Sequence, residues 1–372
     1  MSKFASMKRI SSALFLFVSA LAVVTLSDIQ AQNQKIVFAK EIIDSTKSST
    51  AYYTIKGYSI CSVDTDGSNL KILSPTILGL PQLFPNRKTG QIAFMPKGSK
   101  YMMSVDINGD NEKKELEVIS GASQVTWSPD GTKFLYVDYH NICLRNLQTN
   151  EDVRITDGAN DSPQWMPDGK HCLYSTIKKD EDKPFIRPAL LTIDSIGIGN
   201  YPDNTKPLTN FPVNLTNLKL SPDGTKMLAI LDSNKQSYYL VLMNLNAQLL
   251  KVFARGRYKT LKNNTKPFLV TLPNPTDMEA VWSPDGSKIS LLVSRETKSE
   301  LFILNPETGE RKLIFFGTKL NSASWSPDGN QLTFCYVDMG NQIWITNADG
   351  SHQHPLTRSN REYCPNWVST AD

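Results

Sequence analysis

A five-residue phrase recurs along the chain and restricts what it can fold into. It reads Trp127-Ser-Pro-Asp-Gly131, Trp165-Met-Pro-Asp-Gly169, Leu220-Ser-Pro-Asp-Gly224, Trp282-Ser-Pro-Asp-Gly286 and Trp325-Ser-Pro-Asp-Gly329. Leu83-Phe84-Pro85-Asn86 is a worn first copy, and Trp367-Val-Ser is a truncated last one. From Phe84 onward the anchor positions are 43, 38, 55, 62, 43 and 42 residues apart. Four short strand-like runs per unit, repeated at roughly 40–45 residues, mark β-propeller blades. The expectation is an all-β chain of seven four-stranded blades. If the Phe84 copy is spurious, the count is six.

Each phrase joins two strand-like runs, such as Gln124–Trp127 and Lys133–Val137. Pro presets φ at the second turn position, Ser bonds the backbone at the first, and Gly accepts a left-handed conformation at the end. The recurring Asp therefore belongs to the turn and is read as structural. The anchors Trp127, Trp165, Trp282, Trp325 and Trp367 are read as wedges that fill the space between neighbouring sheets, where large aromatic area stabilises most. A second repeated turn follows the third strand of each unit, as at Val63-Asp-Thr-Asp-Gly67 and Thr346-Asn-Ala-Asp-Gly350.

The ring closes from both ends of the chain. Pro365–Ser369 supplies an inner strand, and Lys35–Ala39, Ser59–Val63 and Lys71–Leu73 supply the other three. Pairing the two termini removes the open edges that would template aggregation. Strand alternation then places the first-to-second and third-to-fourth turns on one face of the ring. The remaining connections lie on the other. Three long connections, Glu41–Gly57, Lys178–Pro188 and Arg255–Glu279, all emerge on that second, insertion face. Long loops on a rigid scaffold are where recognition concentrates. The candidate binding residues there are Lys178, Lys179, Arg187, Arg255, Arg257, Tyr258, Lys259 and Lys262. Six cations and no acid between Lys251 and Lys266, with Phe253 and Tyr258 interleaved, suit an acidic protein surface or a polyanionic glycan.

Residues 1–31 have the layout of a secretory signal peptide. Lys3, Lys8 and Arg9 precede an uncharged run from Ile10 to Ser27, and small and polar residues lead to Ala31. An uncleaved anchor is the alternative, since the run is just long enough to span a bilayer. The expected organisation is a leader over 1–31 and one propeller domain over 32–372, secreted or periplasmic and monomeric, with no membrane span in the mature part. That part carries 37 basic and 35 acidic residues. The near-neutral balance excludes the strong basic surplus of a general nucleic-acid binder. Five Cys with no Cys-x-x-Cys pair read as single thiols rather than a disulfide framework or zinc site.

The Trp-Ser-Pro-Asp-Gly phrase, the Lys-x-Leu/Phe-x-Tyr that follows it, the later Asp-Gly turn and the short strand at Pro355-Leu-Thr357 resemble the TolB-like, WD-repeat-like propeller repeat family. The resemblance covers nearly the whole chain after the leader. It is to the TolB propeller without the α/β domain that precedes it there. The propeller in that family typically has six blades, whereas seven anchors are counted here. The resemblance implies a secreted or periplasmic propeller that docks other proteins. Similar repeats occur in the propellers of dipeptidyl peptidase-like enzymes and of some polysaccharide lyases.

Motif chemistry is sparse. Asp106-x-Asn108-x-Asp110 with Glu117 imitates a calcium loop but lacks the central Gly, and the repeat explains Asp106 and Asn108 as turn residues. His352 and His354 are joined only by His140 and His171, on other blades. No Gly-x-Ser-x-Gly, His-Glu-x-x-His or phosphate loop is present. No catalytic residue, metal ligand or cofactor is assigned. The expected function is a non-enzymatic protein-binding or scaffold module of the cell envelope. The alternative is a glycan-active lyase or hydrolase with its site in the propeller pocket, which would require acidic residues and His converging near the axis on the insertion face.

Overall fold

The computed structural model describes residues 34–44, 46, 54–110, 112–117, 123–158, 160–178, 185–193, 206–208, 214–233, 237–257, 278–295, 297–338 and 340–369. These form seven four-stranded antiparallel sheets. Blade 1 is the closing blade. Its inner strand, Glu362–Ser369, pairs with the N-terminal strand Gln34–Ile43, so that Trp367 lies opposite Ile36. The inner strands of blades 2 to 7 are Gln82–Pro85, Ser123–Trp127, Asn160–Trp165, Asn214–Leu220, Met278–Trp282 and Leu320–Trp325. Phe84 is thus a genuine anchor, and the six-blade alternative is excluded. The leader lies outside the described residues, as do parts of all three long connections.

The strands run further into the long connections than the sequence suggests. Glu41 and Ile42 pair with Tyr58 and Gly57, and the strands end at Ile43 and begin again at Ile55. Thr176 and Ser175 pair with Arg187 and Pro188, so those two residues belong to a strand rather than a loop. In blade 5 the outer strand continues to Arg257, and blade 6 begins at Met278. A hairpin keeps gaining ladder bonds while its arms stay in register, which polar composition does not prevent.

The core is divided. Seven apolar clusters each join the facing sheets of two neighbouring blades; one joins Leu228, Ile230 and Leu240 to Met278, Trp282 and Ile289. The anchors do more than fill these wedges. The Trp127 indole N–H donates to the Phe84 carbonyl at 2.9 Å, Trp165 to Thr126 at 3.0 Å, Trp282 to Lys219 at 3.1 Å and Trp325 to Val281 at 3.1 Å. Every acceptor lies on the inner strand of the preceding blade. At ring closure the pattern breaks, because the buried Trp367 indole nitrogen has no partner among the described residues. Buried polar groups that are hydrogen-bonded contribute about 1 kcal/mol net, and unsatisfied ones cost more.

The repeated turns behave as read. In blade 6, Ser283 Oγ and Ser287 Oγ each donate to the Asp285 carboxylate at 2.6 Å, and the Ser287 N–H donates to it at 3.1 Å. The same bonds recur at Asp130, Asp223 and Asp328. In the worn copy Asn86 substitutes, accepting from the Lys88 N–H at 3.0 Å and donating to the Gly131 carbonyl at 2.9 Å. All five Cys are free thiols, four of them buried.

Trp325→Phe should lower stability by about 1–2 kcal/mol more than Trp367→Phe. Both side chains are fully buried, but only the first loses a hydrogen bond. The check is the difference between the two denaturant midpoints. A second expectation concerns pH. The serine donors hold Asp285 down at about 2, against roughly 4 for an ordinary carboxylate. A depressed pKa contributes stability above the unfolded value that is lost as pH falls through the folded one. Asp285→Asn should therefore lower the melting temperature by a few degrees at neutral pH. The gap should close between about pH 4 and 2, which a melting series across that range would reveal.

Candidate functional site

The seven inner strands surround a channel, and five of them carry a β-bulge at the same place. Gln124, Ser162, Asn217, Ser322 and Cys364 each stand three residues before an anchor, with φ between 52° and 54°. Each coincides with a shift in register against the neighbouring strand. None is Gly, the residue that normally signals such a conformation, so the sequence carries no cue for them. The bulge turns backbone N–H groups toward the adjacent blade. Ser162 N–H donates to the Gln124 side chain of blade 3, and Ser322 N–H donates to the Glu279 carboxylate of blade 6. Glu279 occupies the equivalent position on an inner strand without a bulge.

Around Glu279 the channel widens into a cleft of about 320 Å³ on the insertion face. Its walls are apolar, from Leu80, Met278, Leu292 and Leu320, and its polar groups include Glu279, Ser322 and Cys364. Blades 6, 7 and 1 and the link into blade 2 all contribute, so the cleft exists only in the closed ring. Glu279 reaches channel solvent but is surrounded by protein. That burial pushes its carboxyl above the ordinary range, while Lys219 of blade 5 and the Ser322 N–H oppose the rise. Burial likewise lowers the Lys219 ammonium, and Glu279 opposes that fall. Arg87 reaches from the first-to-second turn of blade 2 across the channel and donates to the Trp325 carbonyl at 3.4 Å. Burial works against its charge as well.

Behind the cleft, the Tyr363 hydroxyl donates to the buried carboxylate of Glu41. Arg361 Nε lies 3.9 Å from the other Glu41 oxygen. Burial, then the Glu41 carboxylate, raises the Tyr363 phenol. The Cys335 thiol is pushed up to about 12 by burial, and that of Cys364 is also raised. Both therefore stay protonated and unreactive near neutral pH. One acid, Glu279, lines the cleft on the insertion face, and no His does. His140 is on blade 3, His171 pairs with Asp168 in a turn on the opposite face, and His352 and His354 follow the third strand of blade 7. Asp106 accepts from the Asn108 and Asp110 N–H groups at 2.9 and 2.8 Å, as a turn residue. No cluster of three metal-ligating side chains occurs among the described residues.

The expected binding residues that are among the described ones lie off the axis. Arg187 sits on the third strand of blade 4, with its Nε buried and without a partner among the described residues. Arg255 is on the outer strand of blade 5, donates to Ser237 Oγ at 3.1 Å and lies over the Tyr239 ring at 5.7 Å. Lys178 and Arg257 end strands of blades 4 and 5. Lys179, Tyr258, Lys259 and Lys262 lie outside the described residues. The cleft lining includes none of the candidate residues. Its only sequence signal is an acid, Glu279, at the position three before an anchor, where the other units have Gln, Ser, Asn or Cys and the worn copy has Pro81.

No family model matches the chain. Over 62 residues it is 40% identical to the Tol-Pal system protein TolB of Alcanivorax borkumensis, a stretch that covers 15% of this chain and 14% of that protein. The repeat is thus TolB-like, while the match spans only a small part of that relative. Among solved structures, an oligogalacturonate lyase in complex with manganese superposes with a TM-score of 0.55 at 14% identity, covering 86% of this chain and 85% of the other. A candidate 6-phosphogluconolactonase of Bacteroides uniformis superposes with a TM-score of 0.56 at 13% identity, covering 90% and 100%. Both likenesses are of fold.

Replacing Lys219 with Met should raise the Glu279 pKa further, because the nearest opposing charge is removed while burial persists. Carbon-detected NMR titration of the Glu279 carboxyl would measure this. An unchanged or lower value would show that the two groups do not interact through the channel.

Proposed function

We propose that the protein is an extracytoplasmic docking module of the cell envelope that holds a protein partner on its insertion face. One observation carries this reading. An apolar strip on that face runs from the rim into the axial cleft. Leu78 is 78% exposed and Ile55 43% exposed, and they flank the Tyr58–Ile77 bridge that ties the rim of blade 1 to the link into blade 2. Two residues on, Leu80 lines the cleft beside Tyr363, whose ring meets Tyr58 edge-on at 6.0 Å. Apolar groups left in water around a concave mouth suit a partner that seats a side chain in the cleft and covers the rim. Arg187 and Arg255 belong to blades 4 and 5, and would attract an acidic partner at a distance. The secretory layout of residues 1–31 supports the compartment, and the stretch similar to a Tol-Pal system protein supports the class.

A second reading rests on Glu279. A carboxyl held above its ordinary range in a cleft, next to a lysine, is a candidate acid or base. The fold is also that of an oligogalacturonate lyase. This reading requires unsaturated products from oligogalacturonate that disappear with Glu279→Gln.

A photo-crosslinking residue at position 78 should yield a partner adduct in the native envelope. The same residue at position 285, on the opposite face, should yield none. Leu78→Asp should abolish capture without changing the melting temperature, because the side chain is exposed. Adducts only from position 285 would overturn the assignment.

A further inference from the structure

The outer rim of the ring is uneven. In blades 1, 3, 4 and 7 the outermost strand is two or three residues long: Lys71–Ile72, Asp152–Arg154, Lys206–Pro207 and His354–Pro355. In blades 5 and 6 it is nine and seven: Leu249–Arg257 and Arg311–Gly317. Natural sheets keep such edges short because unpaired N–H and C=O groups invite another strand. These two edges also hold half of the exposed large apolar side chains in the described residues. Leu249, Leu250 and Val252 are on blade 5, and Leu313 and Phe316 on blade 6, with Phe316 70% exposed. The blades are neighbours, joined by Lys251 Nζ donating to the Glu307 carbonyl.

Charge narrows the occupant. The two strands contain Lys251, Arg255, Arg257, Arg311 and Lys312 and no acid. Nearby acids are partly neutralised: Glu300 by Arg295 and Lys298, Glu307 by Lys226. Asp349 of blade 7 feels the charge of Lys312, and Glu310 precedes the second strand. A second copy would bring the same cations against these edges, and like charges across a strand pair destabilise it. We propose that the outer edges of blades 5 and 6 form a strand-addition site for an extended acidic segment of a partner protein, with apolar residues at alternate positions. Main-chain bonds would supply affinity, while Val252 and Phe316 would cover the apolar side chains. The bulges in both edge strands divide each edge, so a docked segment pairs with a short stretch of one edge or of the other.

This site is on the flank of the ring and stands apart from the insertion-face reading. Its probe is a fluorescent ten-residue peptide of alternating Glu and Val, and the full chain is titrated into it. Saturable binding is expected, weakening at least tenfold between low and high salt. A matched Lys–Val peptide should not bind. The Val252→Asp/Phe316→Asp double variant, which changes only exposed side chains, should bind at least tenfold more weakly with an unaltered melting curve. Leu78→Asp should bind as the parent does. Hydrogen exchange should slow in residues 249–257 or 311–317 when the peptide is bound. Four results would overturn the proposal: equal binding by the double variant, equal binding of the Lys–Val peptide, unslowed amides in both strands, or self-association of the chain through these edges.

Discussion

Each anchor indole that donates to the preceding blade ties two sheets together at the channel wall. Wedge packing alone is non-directional and would tolerate slippage of one sheet past the next. A donor on one inner strand and a carbonyl on the other sets their relative height. Four interfaces carry this bond, through Trp127, Trp165, Trp282 and Trp325. The interface between blades 4 and 5 has Leu220 and no indole. At closure the strand Glu362–Ser369 is held instead by pairing with Gln34–Ile43, and the backbone N–H of Trp367 donates to Ser324 Oγ at 3.3 Å. The ring thus closes by ladder bonds between the two ends of the chain.

With the inner strands at fixed heights, residues three before the anchors form a tier around the channel. That arrangement lets Ser322 N–H meet Glu279, and lets Lys219 act on the same carboxyl from blade 5. The cleft combines apolar walls with one enclosed acid, which suits recognition of a side chain bearing both apolar and polar parts. Enclosure raises the Glu279 carboxyl and lowers the Lys219 ammonium, so each limits the other's displacement. Rim and flank divide the outer surface. The rim presents Leu78 and Ile55 around a concavity, while the flank presents strand edges with cations. Two such surfaces on one rigid ring allow separate contacts without movement of the scaffold.

How much of this was legible depends on how local the cause is. The Asp285 turn could be read directly, since Ser, Pro, Asp and Gly act within five residues. The anchor Phe84 could be placed by spacing, although its own turn had been rebuilt around Asn86. The bulge at Cys364 could not, because a left-handed Cys has no sequence signature and is held by pairing with a strand more than three hundred residues away. Arg187 was placed in a loop because Lys-Lys-Asp-Glu-Asp-Lys-Pro looks like a connection, yet its strand continues through ladder bonds to Thr176.

By itself the sequence determined the all-β class, a count of seven units that left six open, the repeated turns, the identity of the closing strands and the face from which the long connections emerge. Those follow from turn chemistry and strand alternation, which act within a unit and repeat. Only the tertiary structure decided which carbonyl each indole meets, where the inner strands bulge, that Glu279 and Lys219 share a channel, and that, among the described residues, two outer edges are long and carry exposed apolar side chains. These depend on contacts between blades that are neighbours in space and roughly forty or more residues apart in the chain, where no local pattern records which groups will face each other.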